Sequence, residues 1–170
     1  MPGEIKLNDG ASIPQLGLGV WQVDPATTAQ VTSWAIECGY RSIDTAEGYR
    51  NEEGVGRAIR SAGVPRTELY ITSKLRNGAH QRDAALRAFD DTMSKLGIAQ
   101  IDLFLIHWPV PSQDKYVEAW KALIELREAG RIKSHRRIEF QPGPSRAHHR
   151  RYRRCPRGQP DRTSSSPPAA

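Results

Sequence analysis

Apolar positions along the chain fall into short blocks whose period switches back and forth between strand-like and helix-like. LGLGVW (16–21) is a small apolar run, and Val31, Trp34, Ala35 and Cys38 then mark one face of a helix that stops at Gly39. Asp24-Pro25 offers an N-cap followed by a first-turn proline, which predicts that this helix starts there. The unit then recurs. YRSIDTA (40–46) reads as a strand and EEGVGRAIRSAG (52–63) as a helix; ELYITSK (68–74) is β-branched and aromatic, and DAALRAFDDTMSKLG (83–97) is helical with a glycine stop. IDLFLIHW (101–108) is a nearly continuous apolar run, as in a strand buried on both faces. KYVEAWKALIELREAG (115–130) is an amphipathic helix, RIKS opens a fifth strand, and a turn signal in IKLNDGASIP precedes the first unit.

Four strand–helix units in succession predict an α/β fold with a parallel sheet and helical crossovers. Doubly wound sheets and (β/α)8 TIM barrels both fit that pattern. No G-x-G-x-x-G follows the first strand and no P-loop is present, so a Rossmann or Walker nucleotide site has no support. The barrel is favoured, and the chain holds only its N-terminal half.

The net charge of +6 changes meaning once it is located. Residues 1–134 carry 16 basic and 17 acidic side chains, whereas residues 135–170 carry nine arginines and two acids. The body therefore gives no electrostatic reason to expect nucleic acid or an anionic membrane. No apolar run approaches the ~20 residues of a membrane span, and the opening MPGEIKLNDG lacks a signal-peptide core, so a cytoplasmic protein is expected. Cys38 and Cys155 are too few and too unlike for a disulfide framework or a zinc site, and no metal is expected.

In folds of this class the active site lies at the carboxyl ends of the strands. Those ends read Asp44, Lys74 and His107, with Tyr49 in the loop after Asp44. Singly, each has an ordinary structural reading as a turn residue, a solvated cation, a core histidine or a surface aromatic. Together they would bring charge into one low-dielectric centre, where each needs the others. The set suits protonation of a carbonyl oxygen. Lys74 would favour the phenolate form of Tyr49, Asp44 would hold Lys74 charged, and His107 would orient the carbonyl. Hydride would have to come from a nicotinamide.

LGLGVWQV, GYRSIDTAEGYRNEEGVGRAI, LYITSKL, DLFLIHWP and WKALIELREAGRIKS resemble the aldo-keto reductases, in particular the small prokaryotic type that includes diketogluconate reductases; the resemblance covers residues 4 to about 134. It implies NADPH-dependent reduction of an aldehyde or ketone, with Tyr49 as proton donor, Lys74 and Asp44 as its tuning pair and His107 orienting the substrate. It also implies Trp21 and Trp108 as walls of the substrate pocket, and Gly19, Val20 and Asp44 beside the nicotinamide. A small-molecule carbonyl is then the expected partner, and the family is usually monomeric.

The resemblance stops at Ser134, where the family continues with a segment like IGVSNF and this chain reads HRRIEF. Reading the possible codons one base later turns HRRIEF into IGVSNF. The same shift turns SRAHHRRYRRCP into LERIIGDTGVAP and RGQPDRTSS into VVNQIELHP, both family-like. The expected organisation is thus a half barrel over residues 1–134, followed by a frameshifted, disordered, arginine-rich tail over 135–170. Strands five to eight and most cofactor contacts would be missing, so the expectation is a catalytically inactive chain with two unpaired sheet edges that aggregates, self-associates or is degraded. The alternative is a non-catalytic protein whose tail binds polyanions adventitiously.

Overall fold

A computed structural model describes residues 3–7 and 10–137. The basic segment RAHHRRYRRC and the expectation of a disordered tail after residue 137 lie outside the described residues.

A short antiparallel hairpin opens the fold, pairing β1 (Glu4–Lys6) with β2 (Ser12–Pro14) across the turn that the sequence signals. Strands β3 (Gly17–Gly19), β4 (Ser42–Asp44), β5 (Tyr70–Leu75), β6 (Ile101–Ile106) and β7 (Ile132–Arg137) then form one parallel sheet, in that spatial order. Helices α1 (Thr28–Glu37), α2 (Glu52–Ser61), α3 (Arg82–Leu96) and α4 (Tyr116–Glu128) supply the crossovers.

Spatial order equal to chain order decides between the two architectures. A doubly wound sheet reverses direction at a switch point and places helices on both faces. Here no reversal occurs, and right-handed crossovers that all run the same way put every helix on one face. Each helix accordingly packs against the next, α1 on α2, α2 on α3 and α3 on α4. This is the progression of a (β/α)8 barrel through its first half.

Strand alternation assigns the two faces. Phe104 meets Phe89 of α3 edge-on at 5.1 Å, and Ser73 bonds Glu52 of α2, so these residues face the helices. Thr72, Lys74, Leu103 and Leu105 therefore line the opposite, concave face. That face is largely closed at its apolar positions. Leu103 and Leu105 are only 6% and 8% exposed, lying in register between Thr72 and Lys74 of β5 and the backbone of β7.

Two of the boundaries that differ from the sequence reading have an identifiable physical cause. Helix α1 begins at Thr28 rather than Pro25, because the Asp24 carboxylate closes a tight turn on the amide of Ala26 at 2.7 Å, while its carbonyl accepts from the amides of Thr27 and Thr28. Strand β7 runs on past Ser134 to Arg137, pairing Phe104, Leu105 and Ile106 with residues 135–137. Backbone pairing asks nothing of side-chain identity, so the ladder continues across the point where the composition changes.

Helix α2 approaches α3 closely enough that glycine is required at position 56. A Cβ there would lie 2.5 Å from the carbonyl oxygen of Lys95 and 2.6 Å from that of Leu96, both backbone atoms that cannot swing aside. Gly56→Ala should destabilise the chain by about 1–3 kcal/mol, the usual cost of overpacking, in urea unfolding. Gly63→Ala, where a Cβ meets nothing within 4 Å, should leave the unfolding midpoint within error. Equal midpoints for the two variants would contradict the packing described.

Candidate active site

The carboxyl ends of β4, β5 and β6 bring together the four residues singled out in the sequence. Lys74, the next-to-last residue of β5, points into the concave face with its side chain 6% exposed. A buried ammonium must find acceptors. All of them come from the end of β4 and the segment that follows it. Lys74 Nζ donates to Asp44 Oδ1 and Oδ2 at 2.7 and 2.8 Å, to the Thr45 carbonyl at 2.9 Å and to Tyr49 Oη at 3.2 Å. The same ammonium lies 4.8 Å from the centre of the Tyr49 ring.

Tyr49 ends a single 3-10 turn (Glu47–Tyr49) and is followed by Arg50 in the left-handed region at φ 58°. Glu47, at the start of that turn, accepts from Arg76 Nε at 2.7 Å, which ties the turn to the end of β5. His107 follows β6 directly, and its ring meets Tyr49 edge-on at 5.7 Å. Trp108 stacks beside His107 at 6.3 Å and is half exposed. Partial burial, helped by the Lys74 charge and opposed by Asp44, holds His107 below the usual histidine range, so its ring is neutral at pH 7.

Gly19 pairs in register with Asp44, and the amide of the fully buried Val20 donates to the Asp44 carbonyl at 3.0 Å. Both therefore adjoin the cluster. A Cβ at Gly19 would have no atom within 4 Å, which leaves an open flat wall at that strand end. Trp21 lies beyond Val20 and is 66% exposed, so its ring stands in solvent and is not brought against the other four.

Sequence reasoning passed over a polar layer beneath these residues. Asn51 and Glu52, both about 1% exposed, sit at the start of α2. Asn51 bonds Thr45 and the carbonyls of Val20 and Val23, while Glu52 accepts from Ser73 at 2.6 Å, next to Lys74. Desolvation raises the Glu52 pKa, the direction expected of a carboxyl packed inside a helix–sheet interface. The signal for Asn51 was present as a cap-type residue before a helix, but that signal implies a different job from the one the side chain performs.

Tyr49 Oη accepts from a lysine, a group with no acceptor capacity, so its own proton remains free to be given elsewhere. A neutral imidazole stands beside it. The constellation is thus a phenol backed by a cation, with a hydrogen-bonding ring alongside, open at the mouth of a sheet.

The sequence pattern of the aldo/keto reductase family matches residues 14–135, and the four clustered residues all fall within that span. The chain belongs to the aldo/keto reductase family. It is 53% identical over 140 residues to the methylglyoxal reductase DkgA of Escherichia coli K12, covering 82% of this chain and 50% of that protein. An aldo-keto reductase of Mycolicibacterium smegmatis is 49% identical over 142 residues, covering 84% of this chain and 52% of that one. Among solved structures, an aldo/keto reductase from Brucella melitensis superposes with a TM-score of 0.80 at 46% identity, covering 84% of this chain and 56% of that one. A point mutant of Gox0644, crystallised with NADPH, gives 0.78 at 43% identity, with 84% and 51% covered. This aldo/keto reductase chain spans about half the length of the relatives it matches. The family match also ends within one residue of Ser134, where the basic composition begins.

A proton titration of the His107 ring by NMR should give a midpoint below 6.5, the ordinary value. Lys74→Met, which removes a neighbouring cation and leaves Asp44, should move that midpoint upward. A midpoint that stays put or falls in the variant would show that the Lys74 charge does not reach His107. Since the neutral ring is the form the fold favours, its contribution to stability is present above the unfolded value and is lost as pH falls through the lowered one.

Proposed function

We propose that the described residues form the proton-donating half of an NADPH-dependent reductase of aldehydes or ketones. The observation that carries this reading is the single ammonium of Lys74 held between Asp44 and Tyr49 Oη. As Tyr49 gives its proton to a carbonyl oxygen, Lys74 stabilises the negative charge developing on the phenol oxygen. Asp44 pairs with Lys74 and holds it in place. His107, neutral, can donate a hydrogen bond to the same carbonyl oxygen, orienting it without competing for the proton.

The open wall at Gly19 beside Val20 and Asp44 fits a flat nicotinamide ring, and these three residues would hold it. NADPH supplies the hydride when bound. The NADPH complex of Gox0644 supports the choice of cofactor, and the name of DkgA makes methylglyoxal a suitable probe substrate. Trp108, next to His107, and Trp21, exposed beyond Val20, would form the aromatic walls of the substrate pocket.

A second inference concerns the tail. Its uninterrupted conversion into family-like sequence under a one-base shift, and the end of the family match at residue 135, support a reading-frame displacement after the Ser134 codon. Resequencing that codon should reveal one base gained or two lost relative to the family-like frame; a frame with no family-like continuation would remove the inference.

The 170-residue chain alone should show no NADPH oxidation with methylglyoxal above blank, because it matches only about half of each relative. Residues 1–134 joined to the remaining half of DkgA should turn over. In that chimaera Tyr49→Phe should lower kcat by at least about 100-fold, the low end of what general acid catalysis contributes. Full activity of the phenylalanine variant would sink the assignment of Tyr49 as proton donor.

A further inference from the structure

We infer that Asn51 is a positioning residue of this site, one that fixes Tyr49 and the carbonyl of Thr45 around the Lys74 ammonium. The inference rests on the reading of Tyr49 as proton donor. Asn51 occupies the N-cap position of α2, yet its side chain caps nothing. Only its backbone carbonyl serves the helix, accepting from the amides of Gly54 and Val55. The carboxamide, 1% exposed, turns inward instead. Its Nδ2 donates to the Val20 carbonyl at 2.8 Å and to the Val23 carbonyl at 3.3 Å, and its Oδ1 accepts from Thr45 Oγ1 at 2.9 Å.

Those three bonds join three separate pieces of chain: the loop beyond β3, the loop beyond β4 and the start of α2. Two of them carry the candidate site. Thr45 is fully buried, and its carbonyl is one of the acceptors of Lys74 Nζ. Val20 donates its amide to the carbonyl of Asp44. Tyr49 is two residues before Asn51, separated from it by Arg50 at positive φ, so anchoring Asn51 fixes where the tyrosine turn emerges. One carboxamide therefore sets two of the acceptors that surround the ammonium. A carboxylate could not replace it, because Asp at this position would aim an oxygen at two carbonyl oxygens.

The test uses the full 170-residue chain labelled with 15N-lysine, in which the Lys74 ammonium resonance is assigned by its loss in Lys74→Met. Hydrogen exchange of that ammonium reports the local cage, and exchange of the Phe104 amide in the centre of β6 reports opening of the whole fold. Asn51→Ala should speed ammonium exchange about tenfold, the factor carried by roughly one lost net hydrogen bond, with Phe104 nearly unchanged. Thr45→Val, which deletes only the bond to Asn51, should act in the same direction, and Thr45→Ser should restore the wild-type rate. Should Asn51→Ala fail to fold, the Thr45 pair decides the matter alone. Unchanged ammonium exchange, or equal acceleration of the ammonium and of Phe104, overturns the inference. Loss of the Tyr49 assignment would instead show only in the chimaera's turnover, so the two failures are distinguishable.

Discussion

A lysine ammonium buried on the concave face of a parallel sheet is the constraint around which the rest of this site is arranged. Lys74 is 6% exposed in its side chain, and an unpaired charge there would be far more costly than any one packing defect. Its protons are met by Asp44, Thr45 and Tyr49, all within six residues of one another from the last residue of β4 onward. That requirement fixes the register of β4 against β5 and the path of the chain between β4 and α2. Asp44 is itself 42% exposed, so the pair is asymmetric: the cation is enclosed and the anion faces the mouth. The exposed side of the pair is the one open to solvent.

Sequential strand order makes this arrangement possible with little chain. Because β4 and β5 are neighbours in both sequence and space, one strand–helix–strand unit brings Asp44, Tyr49 and Lys74 together, and β6 adds His107. The helices all stay on the outer face, which leaves the concave end free of crossovers. Gly56 and the Phe89–Phe104 contact hold the outer layer close, so the strand ends keep their spacing.

This economy explains how much was legible in the sequence. The strand ends were readable because polar residues interrupt apolar runs there, and position at a strand end is a local property. Asn51 and Glu52 were not readable as site residues, since a polar pair at a helix start has an ordinary explanation in capping and exposed charge. Only the fold shows that Asn51 turns its amide away from the helix and that Glu52 is enclosed against Ser73. The start of α1 was misplaced for a related reason. Asp24-Pro25 does make a turn, but the turn closes on itself before the helix begins at Thr28. Asp102 was hidden inside an apolar run, and its role depends on partners that sequence cannot place beside it.

Asp102 also shows how differently the two ends of the sheet treat a buried charge. It is 2% exposed near the amino end of β6, and its carboxylate accepts from the Ile71 amide, Arg66 and Lys133 at 2.6–2.9 Å. Every one of those donors belongs to the chain itself, and together they tie β5, β6 and β7 into one clamp. At the carboxyl end the same problem, a buried charge needing partners, is solved differently. Lys74 directs its protons to Asp44, Thr45 and Tyr49, but the Tyr49 hydroxyl takes part only as acceptor and so keeps a proton to give. A neutral His107 stands beside it with donor capacity of its own. Both clusters satisfy the charge they bury; only the carboxyl-end cluster does so while keeping donor capacity at the open end of the sheet, and the proposed site rests on that difference.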